Sequence, residues 1–216
     1  EEDVVRALQA RGDEMRRTFN DITRMRTQVE MFEKGRQTDI EDTLTARHGF
    51  AVNVQHDYRI AVDTTNFVYL RRLLSDTWRN LFVYYEENAD PSVLSPEWIY
   101  ATRDSLTRMY MQGNVRGYAE VDRRRPLETE NVEFLGRYGF ETRGLWRIVD
   151  REDGALTYEG GMGGPFVNYT FYDEATRRIY MIDGMVFAPG FDKREFLRQL
   201  EVIAHTFRTR QELAQR

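Results

Sequence analysis

The chain contains no cysteine, only two lysines (Lys34 and Lys193), three histidines and four serines in 216 residues. Without cysteine there is no disulfide framework, no thiol nucleophile and no cysteine-ligated zinc. The serines, Ser75, Ser92, Ser95 and Ser105, fall in turn or helix-start contexts, and none sits in the Gly-x-Ser-x-Gly elbow of serine hydrolases. Neither lysine follows a glycine, so a phosphate-cradling loop ending in Gly-Lys-Ser/Thr is missing as well. No apolar run approaches the roughly 18 residues of a membrane helix; the best, Ile179 to Phe191, is interrupted by Asp183, Gly184 and Pro189. The first residues carry no basic segment leading into an apolar one, so the expectation is that any targeting segment has been removed or lay upstream. A formal net charge of -5 argues against a dedicated nucleic-acid binder, which needs a basic face. The one dense basic cluster, Arg123-Arg124-Arg125, ends at Pro126 ahead of Glu128 and Glu130 and reads as a solvated loop.

What is present is enough for a core: 41% hydrophobic and 13% aromatic residues. A chain of this length buries roughly 70% of its unfolded surface. The first 47 residues read as helical. Leu8, Met15, Ile22 and Val29 recur every seven residues, widened by Val5, Phe19, Met25 and Phe32, with Gly12 and Arg26 interrupting the stripe. Gly35 ends this helix, and Thr38-Asp39-Ile40-Glu41 is a capping-box pattern for a second one reaching about Arg47. From Phe50 the apolar period becomes two, predicting strands over Phe50 to Val54 and Tyr58 to Val62, with further β-rich runs at Phe67 to Leu70 and Leu81 to Tyr85. Ser95-Pro96-Glu97 opens a helix ending near Gly113. Strands follow at Tyr118 to Val121 and Phe140 to Val149, and a hairpin joins Phe166–Tyr172 to Ile179–Phe187 around Asp173 to Thr176. Asp192-Lys193-Arg194-Glu195 has a reciprocal capping pattern for a last helix, whose apolar face is Phe196, Leu200, Ile203, Ala204 and Phe207. Hairpins dominate and strands do not alternate regularly with helices. The expected fold is α+β, a mostly antiparallel sheet covered by helices, with a helical segment at 1–47 and the α+β domain at 48–216.

Chemistry is sparse. Glu201 and His205, four apart on one helix face, offer two metal ligands but no third. With 36 acidic residues, no spacing singles out a carboxylate pair for glycosidic hydrolysis. The glycine-rich stretch from Gly154, with Gly160-Gly161-Met162-Gly163-Gly164-Pro165 at its end, either exposes backbone N–H groups to a partner or lets strands approach closely. In Arg143-Gly144-Leu145-Trp146, the indole can pack across the bare Gly144 backbone and Arg143 can pair with a carboxylate such as Glu201. Arg and Trp are also the side chains favoured in binding hot spots.

Read in order, Asn66-Phe67-Val68-Tyr69-Leu70-Arg71, Arg103-Asp104, Arg143-Gly144-Leu145-Trp146, Met162 to Val167, Val186-Phe187-Ala188-Pro189 and Lys193-Arg194 through Arg198-Gln199-Leu200-Glu201 resemble the family called domain of unknown function 4837. The likeness runs from about Gly49 to Phe207. Its members are bacterial cell-envelope lipoproteins without an assigned activity. The resemblance therefore implies a lipid-anchored envelope protein, on the periplasmic or surface side, whose lipidated cysteine lies upstream. The order of elements is also similar to the Mog1/PsbP-type sandwich, a fold analogy alone.

The expected function is a non-enzymatic binding or assembly module without cofactor or metal. It would take an envelope protein, glycan or lipid, no nucleic acid, and meet the membrane only through its anchor. The candidate binding residues are Arg143, Trp146, Met162, Gly163, Gly164, Pro165, Lys193, Arg194, Arg198 and Glu201. Two alternatives stand beside it: a carboxylate-dependent hydrolase of envelope polymers, and a structural homodimer associating through the N-terminal helix.

Overall fold

The computed structural model describes residues 2–111, 117–150 and 161–215. Eight strands form one sheet: β2 (Arg59–Asp63), β3 (Phe67–Leu73), β4 (Trp78–Glu87), β5 (Tyr118–Val121), β6 (Glu128–Phe134), β7 (Arg137–Val149), β8 (Gly163–Asp173) and β9 (Arg178–Phe187). Their order is β2-β3-β4-β9-β8-β7-β5, with β6 also on β7, and every pairing is antiparallel. The long β7 shares one edge between two neighbours: residues 137–143 pair with β6 and 146–149 with β5.

Helices cover both faces. α3 (Pro96–Tyr110) packs Ile99 and Leu106 against Phe67, Phe82, Ile179 and Met181. The opposite face, with Leu81, Val83, Ile182 and Val186, lies under α4 (Arg194–Ala204), α2 (Thr38–His48) and the end of α1 (Glu2–Phe32) through Leu200, Leu44 and Met31. Burial on both faces explains why β4 and β9 read as continuous apolar runs rather than alternating ones. The expected α+β architecture is therefore observed.

Several local expectations give way to tertiary partners. The alternating segment from Phe50 yields only β1 (Phe50–Ala51), which pairs with β10 (Arg208–Thr209). Beyond it, side chains take the backbone donors: Asn53 N donates to Thr206 Oγ1 at 2.7 Å and Val54 N to Glu41 Oε1 at 2.8 Å. Glu41 is thus committed to the core and to Arg36, and the capping box expected at Thr38 does not form. Nor does the reciprocal cap at Asp192: Lys193 is the N-cap of α4 without a side-chain bond, while Asp192 accepts from Arg194 N. A capping box does close on α5 (Arg210–Ala214), between Thr209 and Glu212. Ser95 caps α3 as expected, accepting from Trp98 N. Arg123-Arg124-Arg125 lies in an exposed turn as expected, and the residues after it, for which no element was expected, form β6, an acidic edge strand anchored by Phe134.

Candidate functional site

A cleft of about 740 Å³ opens between α1, β6, β7 and α4. Four of the sequence-predicted residues line it: Arg143, Arg194, Arg198 and Glu201. Arg143 stands on β7 with Glu141 two residues before it on the same face, and Glu201 comes from α4. Arg143 Nη1 donates to Glu201 Oε1 at 2.7 Å and its Nε donates to Glu141 Oε1. Burial works against the guanidinium charge, but the two carboxylates outweigh it and push its pKa above the ordinary arginine value. Beneath this triad, burial holds the Tyr169 hydroxyl well above its usual range, so it stays protonated.

His205, the C-cap of α4, closes one end of the cleft. Its Nδ1–H donates to the Glu201 carbonyl at 2.8 Å, and its ring meets Phe134 and Tyr169 edge-on. Burial, and then the charge of Arg24, lower its pKa to about 4. The Glu201 carboxylate goes to Arg143 and the histidine to a backbone carbonyl, so the two do not converge as metal ligands. Among the described residues no group of three or more His, Asp and Glu is arranged to hold a metal ion. Of the remaining α4 residues, Arg198 donates to Glu195, while Lys193, outside the cleft, donates to the Phe191 carbonyl.

None of the other candidates lines the cleft: Trp146, three residues from Arg143 on one strand, and its partner Gly164 lie on the opposite face of the sheet, while Gly163 and Pro165 share Arg143's face farther along it. Trp146 is buried and donates Nε1–H to the Val186 carbonyl at 3.2 Å. Gly163, Gly164 and Pro165 are strand residues of β8, paired with Arg147, Trp146 and Leu145. A Cβ on Gly164 would lie 1.9 Å from the Val186 oxygen, and one on Gly163 2.6 Å from the Trp146 oxygen. These glycines serve close strand approach. Met162 is half-buried against the Trp146 cluster, and Gly160 lies outside the described residues. Gly144 is overlaid by Leu127 and Phe166 rather than by Trp146.

The family model for the domain of unknown function DUF4837 matches residues 37–206. The chain belongs to that family. No curated protein matches it. Two similar solved structures are Mog1 proteins: a point mutant of Mog1, and the Ran-binding protein Mog1p of Saccharomyces cerevisiae. Each has 12% identity and a TM-score of 0.46; they cover 74% and 75% of this chain, and the match covers 90% of each Mog1 chain. The α1 wall of the cleft precedes the part of the chain that the DUF4837 model matches, whereas β6, β7 and α4 lie within it.

This DUF4837 chain also holds a buried ion pair under α3 that sequence reading did not assemble. Arg103 Nε donates to Asp183 Oδ2 at 2.8 Å, Asn168 Nδ2 donates to the same oxygen, and the guanidinium lies 4.0 Å over the Phe166 ring. Both charged side chains are fully buried. Burial raises the Asp183 pKa against the pull of Arg103. The one local signal was Asp183, a lone acid inside the apolar run of β9; Arg103 sits among other charges on α3 and gave none. Edge strand β6, Glu141 and Tyr169 were missed as site components because none stands out by local pattern, and His205, noted only beside Glu201 as a possible ligand, lines the cleft instead.

Proposed function

We propose that this chain is a non-enzymatic binding module that captures an extended polypeptide segment in the α1–β6–α4 cleft. One observation carries the reading. A strand that shows a face to a cavity lines it with alternate residues, but β6 and the residue after it line this cleft with six consecutive ones, Glu130 to Leu135. The edge of β6 therefore borders the cavity, and among the described strands β6 pairs with β7 alone. Such an edge accepts an added strand through its main-chain groups, and flanking side chains select the sequence. The walls carry opposite charges, with Glu128, Glu130 and Glu133 on β6 facing the arginines of α1 and α4 across the cleft. A segment with side chains of both signs fits them. Placement in the bacterial cell envelope, through a lipid anchor, is part of the proposal and is supported by the lipoprotein family its motifs resemble. No described helix is long and apolar enough to cross a membrane.

The hydrolase alternative finds less support. Glu141 and Glu201 are both ion-pair partners of Arg143, whereas an acid catalyst has to carry a proton. Asp183 has the one raised carboxyl pKa among the described residues, and it has no access to substrate.

Peptides selected from a displayed library against the full chain test the reading. Hydrogen exchange at Glu130 to Phe134 should slow on binding, and Arg143→Ala should weaken binding at least about tenfold with little change in melting temperature. Protection confined to the α3 side, or unchanged binding by Arg143→Ala, would overturn it.

A further inference from the structure

One rung of the sheet crosses the floor of the cleft. Glu130 on β6, Glu141 on β7 and Tyr169 on β8 are direct cross-strand partners, and all three line the cavity. Residues directly opposed in an antiparallel pair share a face, so two carboxylates stand side by side, an arrangement that is destabilising without a cation. Within the chain the cation is supplied to one of them alone. Arg143 donates to Glu141 and to Glu201, whereas Glu130 is exposed and makes no hydrogen bond or ion pair with any described residue. The arginines of α1 do not close on it either; Arg24, for one, is held by Asp21 at 2.5 Å.

Tyr169 is an independent sign of a missing ligand. It is 2% exposed, yet its hydroxyl finds no hydrogen-bond partner among the described residues. Nor is that hydroxyl enclosed by protein: it opens onto the cleft. A polar group so nearly buried normally has a partner. Burial, and then Glu141 and Glu201, keep the phenol protonated, and its oxygen can still accept a hydrogen bond from a cation.

The occupant that fits is an organic cation. A metal ion needs several oxygen ligands converging on one point, and among the described residues no group of three acids or histidines is so arranged. Lysine and arginine instead carry several N–H donors at the end of a long stem. From a strand beside β6, such a stem is what passes Glu130 to reach Glu141 and the hydroxyl. Side chains two strands apart do meet on this face, since Phe134 of β6 stacks on Tyr169 of β8 with ring centroids 4.5 Å apart. Resting on the cleft reading above, we propose that the captured segment carries a lysine or arginine opposite Glu130, with its cationic end among Glu130, Glu141 and the Tyr169 hydroxyl. Two residues along the same face, Val132 is half-buried on the core and opposite Gly139, so the segment's residue beside it is apolar. The recognised pattern is basic-x-apolar, in either chain direction.

Peptides from a displayed library that bind the full chain should share a lysine or arginine with an apolar residue two places away. Changing that basic residue to glutamine should weaken binding to the wild type at least about tenfold. Glu130→Gln, a substitution at an exposed site, should erase most of that difference, and Tyr169→Phe should reduce it about threefold. Two results would overturn this inference while leaving the cleft reading intact. One is a set of peptides that protect Glu130 to Phe134 from hydrogen exchange but share no basic residue. The other is an equal loss, in Glu130→Gln and in the wild type, when the basic residue is replaced. A library that yields no peptide, or peptides that protect no residue of β6, would overturn both. Calcium chloride alone, binding the wild type and not Glu130→Gln, would assign the rung to a metal ion and overturn the proposal as well.

Discussion

His205 makes the stability of the chain depend on pH in a window that is its own. Its pKa falls from the ordinary 6.5 to about 4 through burial, and then through the charge of Arg24. Below pH 6.5 the unfolded chain takes up this proton and the folded chain does not, so stability falls as the pH drops from about 6.5 towards 4. At 1.36 kcal/mol per pH unit, the loss between pH 7 and pH 4.5 is about 2.5 kcal/mol. For a chain of this size that corresponds to a melting point lower by roughly 5–10 °C. The assay is thermal unfolding followed by circular dichroism at several pH values, for the wild type and for His205→Gln. The variant loses the hydrogen bond to the Glu201 carbonyl and starts lower, but its melting point should fall less over the window. Asp122, held below its ordinary 3.8 by the Arg124 guanidinium, gives up its contribution only at lower pH and does not blur the comparison. Parallel curves for the two proteins would refute the assignment of this titration to His205.

Gly164→Ala should cost about 3 kcal/mol or prevent folding, because the new Cβ meets the Val186 carbonyl, which no rotamer can move. Gly190→Ala, with a φ of +79° but nothing within 4 Å, should cost only about 1 kcal/mol; equal losses in urea unfolding would refute the close-approach account. Arg103→Met should destabilise by about 3–5 kcal/mol by leaving Asp183 buried without its cation. Adding Asp183→Asn should return at least ~1 kcal/mol of that loss, and additive costs in the double-mutant cycle would show the pair to be uncoupled.

Elements with a strong period or a local stop signal were legible in the sequence: α1 and its end at Gly35, the Ser95 cap, and the β8–β9 hairpin. Those that depend on distant partners were not. Val52 and Val54 alternate like a strand yet leave the ladder, since Thr206 and Glu41 take the neighbouring backbone donors from far along the chain. β6 is the reverse case, a strand with almost no apolar face, made by its ladder to β7. In the site, complementary charge was readable, and the suggested Arg143–Glu201 pair is present at 2.7 Å. The glycines and Trp146 share the same motif stretches but answer to strand spacing, and the side taken by Trp146 and Gly164 follows from parity along β7. Residue types favoured at interfaces are also those that fill tight core positions, so composition alone cannot divide the two groups.

The geometry of the cleft is set from within the core. Leu81, Gly184, Val167, Arg143 and Glu128 form one rung across five strands, from β4 to β6. At Gly184 the rung has no side chain, and Leu200 occupies the gap: a Cβ there would lie 2.8 Å from the Leu200 Cβ. This lets α4 settle close to the sheet, and the next residue, Glu201, then reaches Arg143 two strands away on the same rung. One turn later His205 comes down on Tyr169 and Phe134. The apolar contact at Leu200 and the polar contact at Glu201 are thus consecutive residues of one helix, placed by one missing side chain. The family match covers both halves of this arrangement and ends at residue 206, beside His205. The opposite wall is supplied by α1, ahead of the match, whereas the Arg143–Glu201 floor is tied to the sheet through this one rung.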